Sequence, residues 1–198
     1  YSSAASDVYK RQVIIRGNII ARASSHGLQL RPGGIADNNL FLQNGLAMFN
    51  GRYFPSTTTN NVVLDGKNIA ASSRGMGIEI KRNAHAIIAN NIVAHKTNVN
   101  VGDRYAYEIR YNPYEYEVPV SHIEFKNNIA YNWRGPCLDV NSMPVSGDTY
   151  IVEQNEFHNF HNNYLVNNMG ATIPPGFQYS KNTYYDNAAV NKWFRVGS

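Results

Sequence analysis

Residues 122–140 read HIEFKNNIAYNWRGPCLDV and contain the pattern that decides the fold. Apolar and polar residues alternate in residues 122–125, which is typical of a β-strand with one buried face. The Asn pair 127–128 predicts a tight turn, because Asn tolerates the left-handed backbone conformation and bonds its own backbone. Two further apolar segments follow, at 129–131 and 137–140. The stretch therefore predicts three strands separated by two turns.

The strand and its Asn turn recur seven times, at spacings between 21 and 37 residues. A period of this length with strand-like units predicts a solenoid. Three strands per coil, stacked in parallel, predict an all-β parallel β-helix of about seven coils. Stacked Asn amides can bond their equivalents above and below, which would explain the 27 Asn residues of the chain. The aligned turn residues are Asn18, Asn39, Asn68, Asn91, Asn128, Asn155 and Asn182.

These Asn turns and the apolar strands beside them resemble the right-handed parallel β-helix, or pectin-lyase-like, superfamily. The resemblance covers about residues 13–198 and implies a right-handed helix with three sheets. It also implies that the third strand of each coil belongs to the sheet that floors a substrate groove. The superfamily contains polysaccharide lyases, polygalacturonase-like hydrolases, epimerases, tailspikes and adhesins. The resemblance therefore predicts the fold and leaves the activity open.

Residues 1–12, YSSAASDVYKRQ, share nothing with the repeat. They resemble translated sequencing-adapter read-through of the kind found in assembled metagenomic sequence, and we exclude them from the predicted domain of residues 13–198. We expect the protein to begin upstream and this chain to be a fragment of a longer one. Secretion to the extracellular space or periplasm is the expected localisation.

The net charge of +4 and the pI near 9.1 favour an acidic partner, and a polysaccharide is the expected one. Lys and Arg are scattered singly rather than in a block, which argues against nucleic acid. No apolar run is long enough for a membrane span, so no membrane partner is expected. Cys137 is the only cysteine, which excludes an intrachain disulfide. We expect a monomer.

The predicted third strands place two outward-facing columns beside the longest loops. Loops on a rigid scaffold commonly carry function, so these columns are the predicted floor of a groove. The first column is Gln29, Ala47, Glu79, Asn100 and Asp139. The second column is Arg31, Phe49, Lys81, Gly102 and Asn141.

Lyase chemistry on a uronic-acid polysaccharide is the first functional hypothesis for this floor. It needs a cation to neutralise the substrate carboxylate and a base to remove the proton at C5. Arg31, Lys81 or Arg104 could neutralise, and Lys81 or His26 could act as the base. Hard oxygen ligands suited to Ca²⁺ come from Glu79, Asn100 and Asp139. Further substrate contacts are expected from Gln29, Asn100, Arg104, Tyr105, Tyr107 and Asn141.

Two alternatives stand beside the lyase. Glu79 and Asp139, two coils apart, are predicted to lie about 9.6 Å from each other, near the upper limit for an inverting glycoside hydrolase. His26-Gly27 resembles a segment of the polygalacturonase-like hydrolases, although their paired aspartates are not found here. The second alternative is a carbohydrate-binding or adhesive β-helix without catalysis, in which Glu79 and Lys81 are only a surface ion pair. The other five histidines show no spacing typical of a metal site.

Overall fold

The computed structural model describes residues 13–51, 54–67, 75–81, 85–95, 104–110, 120–141, 146–160, 164–168, 175–186 and 193–197. These residues form 21 strands in three parallel sheets of seven strands each, as a parallel β-helix requires. Each coil contributes one strand to each sheet, and strand n pairs with strands n − 3 and n + 3. No described segment forms a helix long and apolar enough to cross a membrane.

The three sheets follow one another around each coil. The first sheet contains β1 (Val13–Arg16), β4 (Gly34–Asp37), β7 (Ser56–Thr59), β10 (Ala86–Ala89), β13 (His122–Lys126), β16 (Thr149–Glu153) and β19 (Phe177–Ser180). The second contains β2 (Ile19–Ala21), β5 (Leu40–Leu42), β8 (Val62–Leu64), β11 (Ile92–Ala94), β14 (Ile129–Tyr131), β17 (Glu156–Asn159) and β20 (Thr183–Asp186). The third contains β3 (His26–Leu30), β6 (Leu46–Asn50), β9 (Met76–Lys81), β12 (Tyr107–Arg110), β15 (Leu138–Asn141), β18 (Val166–Asn168) and β21 (Phe194–Val196).

An asparagine ladder connects the coils at the turn between the first and second sheets. Each Asn amide donates to the Oδ1 atom of the next Asn at 2.9–3.1 Å, and the same Oδ1 accepts the backbone N–H of the donor residue. The residue before each rung has a positive φ, which explains the Asn-Asn pairs, because Asn adopts this conformation readily. The rungs are Asn18, Asn39, Asn61, Asn91, Asn128, Asn155 and Asn182.

The third rung corrects one sequence prediction. Asn61 receives the hydrogen bonds of Asn39 and donates to Asn91, so it occupies the rung predicted for Asn68. The first strand of that coil is β7, which ends two residues before Asn61. Asn68 itself lies outside the described residues.

The interior of the barrel is filled by the inward side chains of all three sheets. Leu28, Met48, Ile78, Tyr107 and Leu138 occupy one register position of the third sheet, and most of them are fully buried. Tyr107 donates its hydroxyl to the carbonyl oxygens of Asn91 and Ile129 at 3.0 and 3.1 Å. The prediction that Tyr107 contacts the substrate is therefore wrong, because its side chain lies inside the barrel.

Long connections border the third sheet on both sides. The connections that follow third strands are long between β12 and β13 and between β15 and β16. The structure also has long connections before third strands, between β8 and β9 and between β11 and β12. The third sheet is thus the one whose strands are flanked by long connections at both ends, which is where a binding site is usually placed.

Candidate active site on the third sheet

One outward column of the third sheet carries three carboxylates on consecutive coils, and we call it the carboxylate column. Parallel register aligns Glu79 with Glu108 and Glu108 with Asp139. Neighbouring strands of a sheet lie about 4.8 Å apart, so the three side chains are close neighbours along the helix axis. From the first coil to the last, the column reads Gln29, Phe49, Glu79, Glu108, Asp139, Asn167 and Arg195.

The column differs from its predicted form at two positions. Phe49 takes the place predicted for Ala47, which packs in the barrel core. Glu108 takes the place predicted for Asn100, because β12 rather than residues 98–101 forms the third strand of the fourth coil. Asn100 lies outside the described residues. The column is therefore more acidic than the sequence analysis expected.

Glu79 sits in a buried ion pair. Its Oε1 lies 2.9 Å from Lys81 Nζ, and both side chains are almost fully buried. Arg110 NH1 lies 3.8 Å from the same oxygen and is more exposed. Lys81 Nζ also lies 5.6 Å from the centre of the Phe49 ring, and Arg31 Cζ lies 5.7 Å from it. The Lys81 amine is thus occupied by Glu79, and the predicted role of Lys81 in proton removal would require this ion pair to break.

Glu108 is the most perturbed carboxyl of the column. Only 2% of its surface is exposed, and this burial, reinforced by the charge of Glu79, raises its pKa to about 7. Hydrogen bonds from Tyr105 and from Asn141 Nδ2, the latter at 3.3 Å from Oε1, oppose that rise. Oε2 has no hydrogen-bond partner among the described residues. A buried acid with one unsatisfied oxygen and a pKa near neutrality is typical of functional sites.

Asp139 continues the column on the next coil. Burial raises its pKa, against the opposing effects of a hydrogen bond from Asn167 and the positive charges of Arg104 and Arg195. The Asn167 amide nitrogen lies 2.6 Å from Asp139 Oδ1. Asp139 and Glu108 therefore form a neighbouring pair of carboxyl groups, both with raised pKa values.

The cations of this face lie nearer to solvent than the carboxylates. Five cations accompany three carboxylates here, and all of the cations except Lys81 are exposed or half-exposed. Glu79, Glu108 and Asp139 are each exposed by 9% or less. The face therefore presents positive charge to solvent above a buried acidic floor. The cations are Arg31, Lys81, Arg104, Arg110 and Arg195.

The remaining predicted site residues are divided between a small apolar cluster and the surface. Tyr105 is buried with Leu46, Phe49 and Met76, so its ring is not exposed for the substrate contact predicted from the sequence. His26 receives or donates a 2.7 Å hydrogen bond between Nδ1 and Ser25 Oγ and meets the Phe49 ring edge-on. It lies two coils from Glu79 in the direction away from Glu108. Gln29 and Asn141 are exposed.

The described residues do not form a Ca²⁺ cage. Calcium takes six to eight oxygen ligands, whereas Glu79 is bound by Lys81 and Arg110, and Asp139 by Asn167. Glu79 and Asp139 are also separated by the whole width of the Glu108 coil. A Ca²⁺ requirement stays a prediction of the sequence alone, and we derive no chemical step through this ion.

Comparison of the chain with protein-family models, with curated proteins and with solved structures found no match. Two residues of the carboxylate column and its border, Glu108 and Arg110, were not predicted from the sequence, although the alternation in Tyr107–Arg110 contained the signal. Tyr and Ile at alternate positions predict the buried face, which leaves Glu and Arg on the outward face.

Proposed function

We propose that the protein is a secreted, pectin-lyase-like β-helix that binds an anionic, uronic-acid polysaccharide along the third sheet and cleaves it by β-elimination. The observation that carries this proposal is the layering of charge on that face. Exposed arginines can bind the carboxylates of the polymer, and buried carboxyl groups lie next to them for proton transfer. Surface cations over an acidic floor favour an anionic substrate over a neutral one.

Two steps of the elimination, neutralisation of the carboxylate and removal of the C5 proton, have candidate residues. Arg110, which is partly exposed beside Glu79, would neutralise the carboxylate of the sugar that reacts and so acidify its C5 proton. Glu108 takes that proton as the base. Electrons of the C5–H bond then form the C4–C5 double bond while the C4–O bond breaks, and water protonates the departing oxygen. The hydroxide that remains takes the proton from Glu108, which restores the base. A base with a pKa near the working pH is the most effective.

Burial places a requirement on this mechanism. Glu108 is almost fully buried, so a bound polymer has to displace the side chains above it before the base reaches C5. Asn141, which is exposed and bonds Glu108 Oε1, is the first side chain that the polymer would replace. The hydrogen bond lost there would be exchanged for one from the substrate.

Hydrolysis by two carboxylates is the second candidate, and the register of β12 with β15 favours it. Glu108 and Asp139 lie on adjacent strands, at a backbone spacing of about 4.8 Å. Retaining glycoside hydrolases hold their two carboxyl groups about 5–5.5 Å apart, with the acid carrying a raised pKa. In this mechanism Glu108 would be the acid and Asp139 the nucleophile. It replaces the pair of Glu79 and Asp139 expected from the sequence.

Elimination, hydrolysis and binding without cleavage can be distinguished by the sugar ends that they release. Alginate, pectate and glycosaminoglycans would each be incubated with the chain, and both ultraviolet-absorbing unsaturated ends and total reducing ends would be measured. Elimination gives both signals in equal amounts, hydrolysis gives reducing ends alone, and a binding protein gives neither while still retaining the polymer. If the chain retained a neutral polymer but no anionic one, the proposal of an anionic ligand would be contradicted, whether the chain acts by elimination, by hydrolysis or by binding alone.

The residue assignment is tested with matched variants. Glu108→Gln keeps the size of the base but cannot take a proton, so we expect activity to fall at least about 100-fold. Glu156→Gln makes the same change on the second sheet, where the carboxylate is exposed, and should leave activity unchanged. Equal activity in Glu108→Gln and the wild type would exclude Glu108 as the base.

A further inference from the structure

A second cluster of chemically active side chains lies on the first sheet. His122 and Glu124 are two residues apart on β13, so both point away from the barrel core. His85 directly precedes β10, the neighbouring strand of the preceding coil. The three side chains are partly exposed and belong to the outer surface of the first sheet rather than to the candidate site on the third sheet.

The ligand atoms of this cluster are close enough to share one ion. His85 Nε2 lies 3.0 Å from Glu124 Oε1, and His122 Nε2 lies 3.5 Å from the same oxygen. All three ligand atoms lie within 4.8 Å of one another. Two ligands of a tetrahedral zinc ion, each about 2.0–2.2 Å from the metal, are about 3.3 Å apart. Two of the three separations are close to that value, and the third, between the two histidine nitrogens, is at most 4.8 Å.

We propose that His85, His122 and Glu124 form a binding site for a divalent transition-metal ion of the zinc type. Two imidazoles and one carboxylate suit Zn²⁺ and its neighbours, whereas Ca²⁺ and Mg²⁺ prefer oxygen ligands throughout. Three protein ligands leave at least one coordination position for water, because the site faces solvent. The ion would also connect two neighbouring coils of the helix, since His85 and the other two ligands come from different coils.

Neighbouring charges support the orientation of Glu124. Lys126 Nζ lies 3.0 Å from Oε2, which leaves Oε1 facing the two histidines. Lys126 also lies 3.9 Å from Glu153, which in turn pairs with Lys181 at 3.2 Å. A carboxylate whose second oxygen is held in this way keeps one oxygen fixed for the metal, as outer-shell partners do in metal sites.

The experiment uses the chain without a histidine tag, treated with EDTA and dialysed. Zn²⁺ is titrated in by calorimetry, and Co²⁺ is titrated by visible absorbance, which reports nitrogen ligation and four-coordinate geometry. The variants His85→Ala and His122→Ala are compared with His158→Ala. His158 is the matched control, since its Nε2 lies 3.2 Å from Glu156 and no described third ligand accompanies that pair.

We expect one Zn²⁺ per chain in the wild type and in His158→Ala, with binding at least about 100-fold weaker in either of the other two variants. Loss of an outer-shell partner alone typically costs 10–100-fold, so loss of a direct ligand should cost at least as much. Zn²⁺ should also raise the unfolding temperature of the wild type, because the unfolded chain lacks the site.

Absence of one-to-one Zn²⁺ binding, or equal binding in all variants, would overturn the proposal. The thermal unfolding of each variant in EDTA shows whether it is folded, and Glu124→Gln provides a third ligand variant should a histidine variant fail to fold. The outcome is independent of activity on polysaccharide, because the cluster and the carboxylate column lie on different sheets.

Discussion

Replacing Asn91 with alanine should destabilise the protein strongly, because this residue is a central rung of the asparagine ladder. Its Nδ2 donates to the carbonyl oxygens of Thr58 and Ala89 and to Asn128 Oδ1, at 2.9–3.1 Å. Its Oδ1 accepts from the backbone nitrogen and the side-chain amide of Asn61, both at 3.0 Å. Asn91 is fully buried, so water cannot replace these five contacts.

The magnitude follows from the groups that lose their partners. A hydrogen bond contributes about 0.5–1.5 kcal/mol net, and a buried polar group left without one costs about 1–3 kcal/mol. The truncation leaves the Asn61 backbone N–H without its bond to Asn91 Oδ1 and removes the amide that bonds the Thr58 carbonyl. We therefore expect a loss of about 3–5 kcal/mol in the free energy of unfolding, a large part of the usual 5–15 kcal/mol.

The assay is urea unfolding followed by circular dichroism, with Asn182→Ala as the control. Asn182 is the last rung and lies partly exposed, so water can replace part of what is lost there. The control should lose only about 1–2 kcal/mol. Equal losses in the two variants, or a loss below about 1 kcal/mol for Asn91→Ala, would refute the view that buried rungs stabilise the stack.

Three further predictions concern backbone conformation, packing and pH. Asn90 has a φ of 58°, in the left-handed region. Asn90→Gly should therefore leave the free energy of unfolding in urea nearly unchanged, while Asn90→Val should lower it by about 1–2 kcal/mol. Similar values for the two variants would contradict the role of the left-handed turn. At Gly77 an added methyl group would collide with the Ala106 carbonyl oxygen and with Val93. Gly77→Ala should therefore lower the unfolding temperature measurably. An unchanged unfolding temperature would show that the coils are not packed this closely. The folded-state pKa of Glu108 is raised from 4.5 to about 7, so the folded state binds this proton more tightly and stability should fall by about 3 kcal/mol as pH rises from 4.5 to 7. That slope should shrink in Glu108→Gln, and an identical pH profile in the variant would refute the assignment.

The fold could be predicted from the sequence because every coil repeats the same local turn. In this turn a residue in the left-handed conformation precedes the ladder Asn. The turn can be recognised from the sequence wherever the first residue is also Asn, as at 127–128. The third coil was misassigned because Asn61 and Asn68 both follow short β-branched or apolar segments. Only the stacking of Asn61 between Asn39 and Asn91 separates them, and stacking is not a local property.

The candidate site was less predictable because it depends on register between coils. Residues 98–101 and 107–110 show the same alternation of polar and apolar residues, so the sequence alone does not determine which of them forms the third strand. Corner connections in a solenoid tolerate insertions, which removes the constraint that spacing would otherwise supply. The choice of β12 is what places Glu108 between Glu79 and Asp139.

The histidine cluster could not be found from spacing at all. His85 and Glu124 are 39 residues apart, and parallel stacking of β10 on β13 is what brings them together. Only the His122 and Glu124 pair was visible locally, and two residues at alternate positions of an exposed strand face are common without any metal.

The most direct test of the proposed function is the rate at which unsaturated sugar ends appear when the chain is mixed with uronic-acid polysaccharides. We predict ultraviolet-absorbing product from at least one of these polymers, its loss by at least about 100-fold in Glu108→Gln, and an unchanged rate in Glu156→Gln. No unsaturated product from any uronic-acid polymer, or an undiminished rate in Glu108→Gln, would contradict the account.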